Sequence, residues 1–126
     1  MPDIKFDHTY VSVIDMDRAI KFYAALLDKE AAHREENTWA DFDMGSGVYF
    51  GLIDSKIVSD KRVIGNNAIP VFRTDDVDAI FEKVKGIGVK IFHEPETLEY
   101  TDYFYRVFLC YDTEGNLIEI AQYERE

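Results

Sequence analysis

A tryptophan and two carboxylates recur at alternate positions in one short segment of the chain. Trp39, Asp41 and Asp43 lie on one face of a predicted strand, and the other face, with Ala40, Phe42 and Met44, is predicted to pack on a helix. An indole beside carboxylates suits a flat or cationic ligand, through stacking and charge, if a cleft holds it. The alternative is an ordinary solvated strand face.

A second group of candidate binding residues lies in the other half of the sequence. Arg73 shares a predicted strand face with Ile69 and Val71, so it either meets an anionic group of a ligand or pairs with one of many carboxylates. Aromatic residues near the end of a predicted loop can form a cleft lip, a satellite core or a dimer contact: Tyr100, Tyr103, Phe104 and Tyr105. The candidate ligand-binding residues are Trp39, Asp41, Tyr49, Arg73, Tyr103 and Tyr105.

Other familiar kinds of chemistry are not indicated. Gly45-Ser46-Gly47 joins two predicted strands rather than preceding a helix, so it is not a phosphate loop. The single cysteine, Cys110, lies in an apolar run and is expected to behave as a small buried hydrophobe. No Ser/His/Asp order, cysteine pair or nucleotide fingerprint stands out.

The composition predicts one small, acidic, globular unit. The 126 residues are 47% hydrophobic, which supplies enough apolar surface for one core. With 25 acidic and 14 basic residues the net charge is −11, which repels nucleic acid and anionic membranes. Such a surface is first a solubility device and second an attraction for a cationic ligand. The chain shows no leader pattern and no long apolar segment, so we expect a cytoplasmic protein.

The first half of the chain is predicted to form a strand, a helix and three more strands. His8 to Val13 alternates like a half-buried strand, and Asp15 or Asp17 caps the next helix. That helix carries apolar residues at helical spacing: Met16, Ala19, Ile20, Tyr23, Leu26 and Leu27. The three strands are predicted over 31–34, 39–44 and 48–53, with a glycine-rich hairpin between the last two.

The second half repeats this order. A strand over 68–74 leads to the aspartate pair Asp75-Asp76, which is suited to capping a helix that Gly86 and Gly88 end. The helix stripe is Val77, Ile80, Phe81, Val84 and Ile87. A strand over 89–92 and a polar loop over 94–102 follow, then strands over 105–111 and 117–122 that flank a turn over 112–116.

The two halves are interpreted as a duplicated unit. An offset of 60 residues superposes Asp15 on Asp75 and Ala19-Ile20 on Ala79-Ile80. The predicted fold class is α+β, with two βαβββ modules forming a concave mixed β-sheet within a single domain, 1–126. Module 1 covers about 1–54, a linker about 55–67 and module 2 about 68–126. Each module alone would expose one face of its sheet, so two modules packed edge to edge are predicted to form a trough from these faces.

The order and spacing of these segments resemble the vicinal-oxygen-chelate superfamily of glyoxalases, ring-cleaving dioxygenases and bleomycin-resistance proteins. The resemblance covers nearly the full length and rests on His8 to Asp15 with Ala19-Ile20-Lys21-Phe22-Tyr23 and Leu26-Leu27, then Asp75-Asp76-Val77-Asp78-Ala79, then Asp112 to Glu119. Asp112-Thr113 departs from the usual Asp-Pro of the family. The resemblance implies a glyoxalase-like fold and a homodimer.

The resemblance also implies four metal-ligand positions, one on the first and one on the last strand of each module. His8 and Glu119 stand at two of them. Gly51 stands at the third and Ala68 or Ile69 at the fourth, and none of these carries a ligand atom. A catalytic divalent site normally needs three protein ligands, so we expect no cofactor.

Two alternatives for His8 and Glu119 stay open. A divalent metal (Zn, Ni, Fe or Mn) would need a third ligand from His33, His93, a nearby carboxylate or across a dimer interface. Without metal, the two residues can form a charged pair in which the histidine is a base and the glutamate orients it. A pair that only satisfies itself is the plainer interpretation, because no electrophile or nucleophile accompanies it.

The sequence therefore favours a metal-independent protein that holds a small organic molecule in an aromatic, acidic cleft. The rival is a metal-dependent enzyme of the lactoylglutathione-lyase or dioxygenase type that uses His8 and Glu119. A regulatory or housekeeping domain with no small ligand is a third possibility, and it is favoured if side chains fill the trough. Neither nucleic acid nor membrane is an expected partner.

Overall fold

A computed structural model describes residue 3 and residues 5–58, 68–101 and 103–123. The chain divides into two compact units, Met1–Ile64 (unit 1) and Gly65–Glu126 (unit 2). The division falls inside the predicted linker over 55–67. Of this linker, residues 55–58 form a short helix, and residues 59–67 lie outside the described residues.

In the described residues, each unit has one long helix that packs against a four-stranded mixed sheet. Unit 1 consists of β1 (His8–Val13), α1 (Met16–Leu27), β2 (His33–Glu35), β3 (Trp39–Asp43), β4 (Tyr49–Asp54) and α2 (Ser55–Val58), in sheet order β1-β4-β3-β2. Unit 2 consists of β5 (Val71–Arg73), α3 (Val77–Ile87), β6 (Ile91–Glu99), β7 (Phe104–Tyr111) and β8 (Leu117–Gln122), in sheet order β5-β8-β7-β6. The β1/β4 and β5/β8 pairs are parallel and the others antiparallel. The predicted α+β class and its two βαβββ units are confirmed.

Both main helices begin at a capping aspartate. The Asp15 carboxylate accepts a hydrogen bond from the backbone N–H of Arg18 at 3.1 Å, and the Asp76 carboxylate accepts one from Ala79 at 3.1 Å. The caps are therefore Asp15, rather than Asp17, and Asp76. They lie 61 residues apart, so the predicted offset of 60 is one residue short for the first strand and helix of each unit.

Aromatic side chains join each helix to its sheet. In unit 1, the ring of Tyr23 lies 4.9 Å from those of Phe22 and Phe50, and all three side chains are buried. In unit 2, Phe81 on α3 meets the buried Phe108 of β7 at 5.3 Å. Cys110 is buried as predicted, and desolvation raises the pKa of its thiol to about 12. Burial of this apolar helix face is the main stabilising contribution, and it leaves the opposite face of each sheet for other chemistry.

The polar loop predicted over 94–102 is wrong for most of its length, because β6 continues to Glu99. Its outer half pairs with β7 through Glu96–Val107, Leu98–Tyr105 and Glu99–Phe104. Register shifts between Ile91 and His93 and between His93 and Glu96 interrupt the alternation that sequence reasoning depends on. The first strand of unit 2 is also shorter than predicted, at three residues.

A buried carboxylate holds the turn between β7 and β8. Asp112 Oδ1 accepts the backbone N–H groups of Glu114 and Asn116, both at 2.8 Å, and Oδ2 accepts the side-chain amide of Asn116 at 3.0 Å. All three side chains are buried. The turn therefore forms around Asp112 although Thr113 replaces the usual proline.

Candidate functional site

The side of the unit 1 sheet opposite α1 carries an aromatic cluster, which we call the aromatic face: His8, Tyr10, Trp39, Asp41 and Gly51. Cross-strand pairing sets Tyr10 beside Gly51 and Gly51 beside Asp41, so β1, β4 and β3 each contribute. The alternation of the strands directs these side chains away from the core. The predicted shared face of Trp39 and Asp41 is confirmed.

Trp39 lies across the sheet because Gly51 has no side chain. A Cβ added at Gly51 would lie 2.6 Å from the indole Cζ2 and closer still to Cη2. The Gly51 backbone therefore covers one face of the indole. Gly51 was considered in the sequence only as a position that lacks a metal ligand, and its role as the floor beneath Trp39 was missed.

Asp41 fixes the orientation of the indole. Its Oδ2 accepts a hydrogen bond from Trp39 Nε1 at 3.0 Å, and its Oδ1 lies 2.8 Å from Nδ1 of His33 on β2. The Asp41 side chain is only 13% exposed, whereas that of His33 is 64% exposed. Asp41 therefore positions both the indole and His33, and little of its own side chain is accessible to a ligand.

Two further rings flank the indole. His8 meets Trp39 edge to face at a centroid distance of 5.6 Å, and Tyr10 does so at 5.8 Å. Nδ1 of His8 lies 2.6 Å from the exposed carboxylate of Asp7. Tyr49 lies near the ring of His33, at 5.8 Å, rather than against Trp39. The indole therefore has one face against the sheet and two rings in nearly perpendicular contact with it.

The side of the unit 2 sheet opposite α3 carries a different cluster, the tyrosine face: Arg73, Tyr105, Glu119 and Tyr123. The Tyr105 hydroxyl donates to Glu119 Oε2 at 2.6 Å. Desolvation, and next the hydrogen bond to Glu119, raise the pKa of the Tyr105 phenol above its ordinary value. Tyr105 therefore stays protonated at neutral pH and donates a hydrogen bond to Glu119.

Arg73 lies on an aromatic ring in this cluster. Its guanidinium carbon is 4.9 Å from the centroid of the Tyr123 ring, which stacks on Tyr105 at 5.3 Å. Within the described residues Arg73 forms no ion pair, although pairing with a carboxylate was the plainer expectation. Tyr103 lies beside the same ring at 6.4 Å and stacks on Tyr100 at 5.1 Å.

Sequence reasoning missed two members of these faces. Tyr123 lies beyond the end of β8, yet it follows Glu119 and Ala121 at alternate positions, so the strand period already assigned it to their face. Tyr10 alternates with His8 in the same way. Alternation carried both signals, but only ring contacts show which members of a face touch.

A family model described as the Glyoxalase/Bleomycin resistance protein/Dioxygenase superfamily matches residues 5–120. The chain belongs to this superfamily. A comparison with curated proteins found no match. No helix in the described ranges is long and apolar enough to cross a membrane.

Several solved structures resemble the chain over nearly its full length. A glyoxalase/bleomycin resistance protein from Albidiferax ferrireducens is 21% identical with a TM-score of 0.77, covering 93% of this chain and 98% of that one. An antibiotic binding protein from a Streptomyces species is 22% identical with a TM-score of 0.77, covering 98% and 99%. A lactoylglutathione lyase from Agrobacterium tumefaciens is 20% identical with a TM-score of 0.68, covering 97% and 96%. At these identities the likeness establishes the fold.

The strand registers show which positions of the two units are equivalent. Tyr10 pairs with Gly51 in unit 1 as Val71 pairs with Glu119 in unit 2, so Gly51 and Glu119 are equivalent. Because Tyr10 and Val71 are equivalent, the residues two positions before them, His8 and Ile69, are also equivalent. The first-strand position of unit 2 is therefore Ile69 and not Ala68. Of the four ligand positions that the resemblance implies, Gly51 and Ile69 thus provide no side-chain donor atom, so the residues present do not fit the implied ligand set. Within the described ranges no three His, Cys, Asp or Glu side chains are grouped to hold a metal.

Proposed function

We propose that this chain binds a small organic molecule with a flat ring on the aromatic face of unit 1, without a complete metal site. The single observation that carries the proposal is the placement of Trp39 over Gly51. The glycine lets one face of the indole lie against the backbone, and we infer that a ligand ring stacks on the other face. A strand that needed only to be solvated would not require a glycine at this position.

The fixed orientation of the indole further supports a binding role. Asp41 is hydrogen-bonded to Trp39 and to His33 at once, so the ring is held before any ligand arrives. Preorganised aromatic surfaces lose little conformational entropy on binding. The antibiotic binding protein from Streptomyces has the same fold, which makes ligand sequestration compatible with this architecture.

Charge favours a cationic member among flat ligands. The chain carries a net charge of −11, and the exposed carboxylates of Asp7 and Asp43 lie on strands or segments that border the aromatic face. Since Asp41 is already engaged, the attraction is long-range and is screened by salt. Affinity for a cationic ring should therefore fall as ionic strength rises, whereas that of a neutral ring should not.

The absence of a complete metal site is part of the proposal. Gly51 and Ile69 carry no donor atoms, and one oxygen of Glu119 accepts the Tyr105 hydroxyl. Elemental analysis of untagged protein purified without chelator tests this. Near-stoichiometric zinc, nickel, iron or manganese that is lost in His8→Ala would contradict a metal-free site and support a metal-dependent enzyme.

Trp39 is the single tryptophan of the chain, so its fluorescence reports binding at this face directly. Neutral and cationic flat compounds are titrated, and we expect saturable quenching by at least one class. By calorimetry, Trp39→Phe should weaken that binding about tenfold or more. The matched control is Phe92→Leu, which changes an exposed ring of unit 2 and should leave the affinity unchanged. Failure of every compound to quench, or equal affinity in Trp39→Phe, would refute the proposal.

Assembly as a homodimer is a further part of the proposal, supported by the family resemblance. Light scattering coupled to size exclusion at several concentrations tests it. A mass near twice 14.6 kDa is expected. A constant mass of one chain across the series would contradict it.

A further inference from the structure

A cavity of about 490 Å³ lies in unit 2, where the carboxyl ends of the parallel strands β5 and β8 meet the start of β7. Its lining residues are Arg73, Thr74, Asp75, Phe104, Gln122 and Tyr123. We call it the Arg73 pocket. Its volume is within the range of about 300–1,000 Å³ that is usual for small-molecule sites.

Two polar side chains of the pocket are oriented by the beginning of α3. Thr74 Oγ1 accepts the backbone N–H of Asp76 at 3.2 Å, and Gln122 Oε1 accepts that of Val77 at 2.9 Å. Because their oxygens serve the helix, the Thr74 hydroxyl hydrogen and the Gln122 amide hydrogens are left as donors. Both residues can therefore hydrogen-bond an acceptor group of a ligand.

The pocket also holds two opposite charges that do not neutralise each other. Within the described parts of the chain, the side chains of Arg73 and Asp75 form no ion pair or hydrogen bond, with each other or with other residues. The Arg73 guanidinium lies on the Tyr123 ring at 4.9 Å, which leaves its N–H edge available. A guanidinium edge matches the two oxygens of a carboxylate, and a carboxylate matches an ammonium group.

We propose that the Arg73 pocket binds a small zwitterion with an apolar body, of the class of apolar or aromatic α-amino acids. The ligand's carboxylate pairs with Arg73 and takes donors from Thr74 and Gln122, and its ammonium group pairs with Asp75. The rings of Phe104 and Tyr123 contact its apolar side chain. Phe104 is 44% exposed, which is a large exposed fraction for a phenylalanine that serves only the fold.

The presence of Asp75 distinguishes a zwitterion from a simple anion. In a chain with 25 acidic residues, a plain carboxylate would meet Arg73 but would also be repelled by Asp75 and by the overall field. An ammonium group on the same ligand removes this repulsion. The inference is independent of the aromatic face of unit 1, since it rests on other residues and other chemistry.

The ligand side of the test uses three forms of one molecule. Phenylalanine carries both charges. N-acetylphenylalanine carries only the negative charge, and phenylalanine methyl ester carries only the positive charge. By calorimetry on the full chain at low salt, the zwitterion should bind about tenfold or more tightly than either derivative. Leucine should bind with similar selectivity over its own derivatives, and glycine should bind more weakly.

The protein side uses charge-neutral variants with matched controls. Arg73→Gln should abolish the advantage of phenylalanine over its ester, and Asp75→Asn should abolish its advantage over the N-acetyl form. Lys90→Gln and Glu82→Gln make the same charge changes outside the pocket and should leave both ratios unchanged. Melting curves of all four variants show that each is folded.

Three results would each overturn the proposal. One is the absence of binding heat for phenylalanine and leucine at millimolar concentration. Another is an N-acetyl form that binds as well as phenylalanine, which would indicate a site for simple carboxylates. The third is unchanged selectivity in folded Arg73→Gln and Asp75→Asn.

Discussion

Gly51 in unit 1 and Glu119 in unit 2 occupy the same position in their sheets, yet they support opposite arrangements of side chains. Above Gly51 the indole of Trp39 lies across the strand and is held by Asp41. In unit 2 the carboxylate of Glu119 accepts a hydrogen bond from the Tyr105 hydroxyl. With a glycine at this position an indole lies over the strand, and with a glutamate a tyrosine hydroxyl is hydrogen-bonded to the side chain.

The turns that join the last two strands of each unit differ in a comparable way. In unit 1 the turn uses a left-handed backbone at Gly45, Ser46 and Gly47, with φ of 91°, 55° and 79°. In unit 2 the buried carboxylate of Asp112 organises the turn through hydrogen bonds. The helix caps, by contrast, are both aspartates. Two units of the same topology therefore share their capping chemistry but differ in their turns and in their open faces.

The turn comparison predicts the largest stability difference. Asp112→Ala leaves buried N–H groups of Glu114 and Asn116 without their acceptor and should lower the free energy of unfolding by about 2–4 kcal/mol. Asp43→Ala removes a hydrogen bond to Gly45 in the exposed turn of unit 1 and should cost less than about 1 kcal/mol. Urea unfolding measures both. Equal losses would show that the two turns do not differ in how they are held.

Gly51→Ala tests whether the glycine is needed beneath the indole. The added methyl group collides with Trp39, so we expect a loss of about 1–3 kcal/mol and a red shift of Trp39 emission as the ring moves toward water. The same variant should also lose binding on the aromatic face. A wild-type emission spectrum in Gly51→Ala would show that the indole does not depend on this glycine.

Tyr105→Phe tests the anchored ring of unit 2. Loss of the hydroxyl should cost about 1 kcal/mol at neutral pH. Because the folded-state pKa of Tyr105 is raised, the unfolded chain loses this proton first as pH rises above about 10. The stabilisation is complete below that pH and declines above it, so wild-type stability should fall with pH more steeply than that of Tyr105→Phe.

Urea unfolding between pH 8 and 11 measures this difference in slope. Glu119→Gln is the companion variant, because it keeps an acceptor for Tyr105 but removes the negative charge that contributes to the raised pKa. It should give an intermediate slope. Parallel curves for wild type and Tyr105→Phe would contradict a coupled Tyr105–Glu119 pair.

The smallest expected effect is a gain in the free energy of unfolding, which is opposite in sign to the effect of Gly51→Ala. Gly86 lies inside α3, and an added Cβ there meets nothing within 4 Å. Gly86→Ala should therefore stabilise the chain by about 0.5–1 kcal/mol through the higher helix propensity of alanine. Thermal melting beside Gly51→Ala gives the comparison. Destabilisation by both substitutions would mean that α3, too, needs its glycine.

Local patterns were sufficient to predict most of the fold. The alternation of β1 and the helical spacing from Met16 to Leu26 each predict a buried face, and the structure buries those faces. The final strand was predicted with the bounds that it has, 117–122. The prediction of a loop along the outer part of β6 was wrong. Bulges interrupt the alternation there, and charged residues such as Glu94 and Glu96 gave the segment the composition of a loop.

The candidate site was predictable in part. The shared face of Trp39 and Asp41 follows from the two-residue period of a strand, and so does that of Glu119 and Tyr123. The contact between Trp39 and Gly51 does not follow, because it depends on which residues of neighbouring strands lie opposite each other. The same is true of Arg73, whose guanidinium lies on a ring 50 residues further along the chain.

The sequence by itself determined the superfamily, the two βαβββ units, the capping of both main helices by aspartates, and the side on which a residue lies in the regular strands. Each of these depends on periodicity or on contacts over a few residues, which a linear chain encodes directly. Only the tertiary structure decided that Gly51 lies beneath an indole, that Tyr105 reaches Glu119, and that Arg73 and Asp75 share a pocket without pairing. These depend on strand register and on the packing of distant segments, which become fixed when the sheets form.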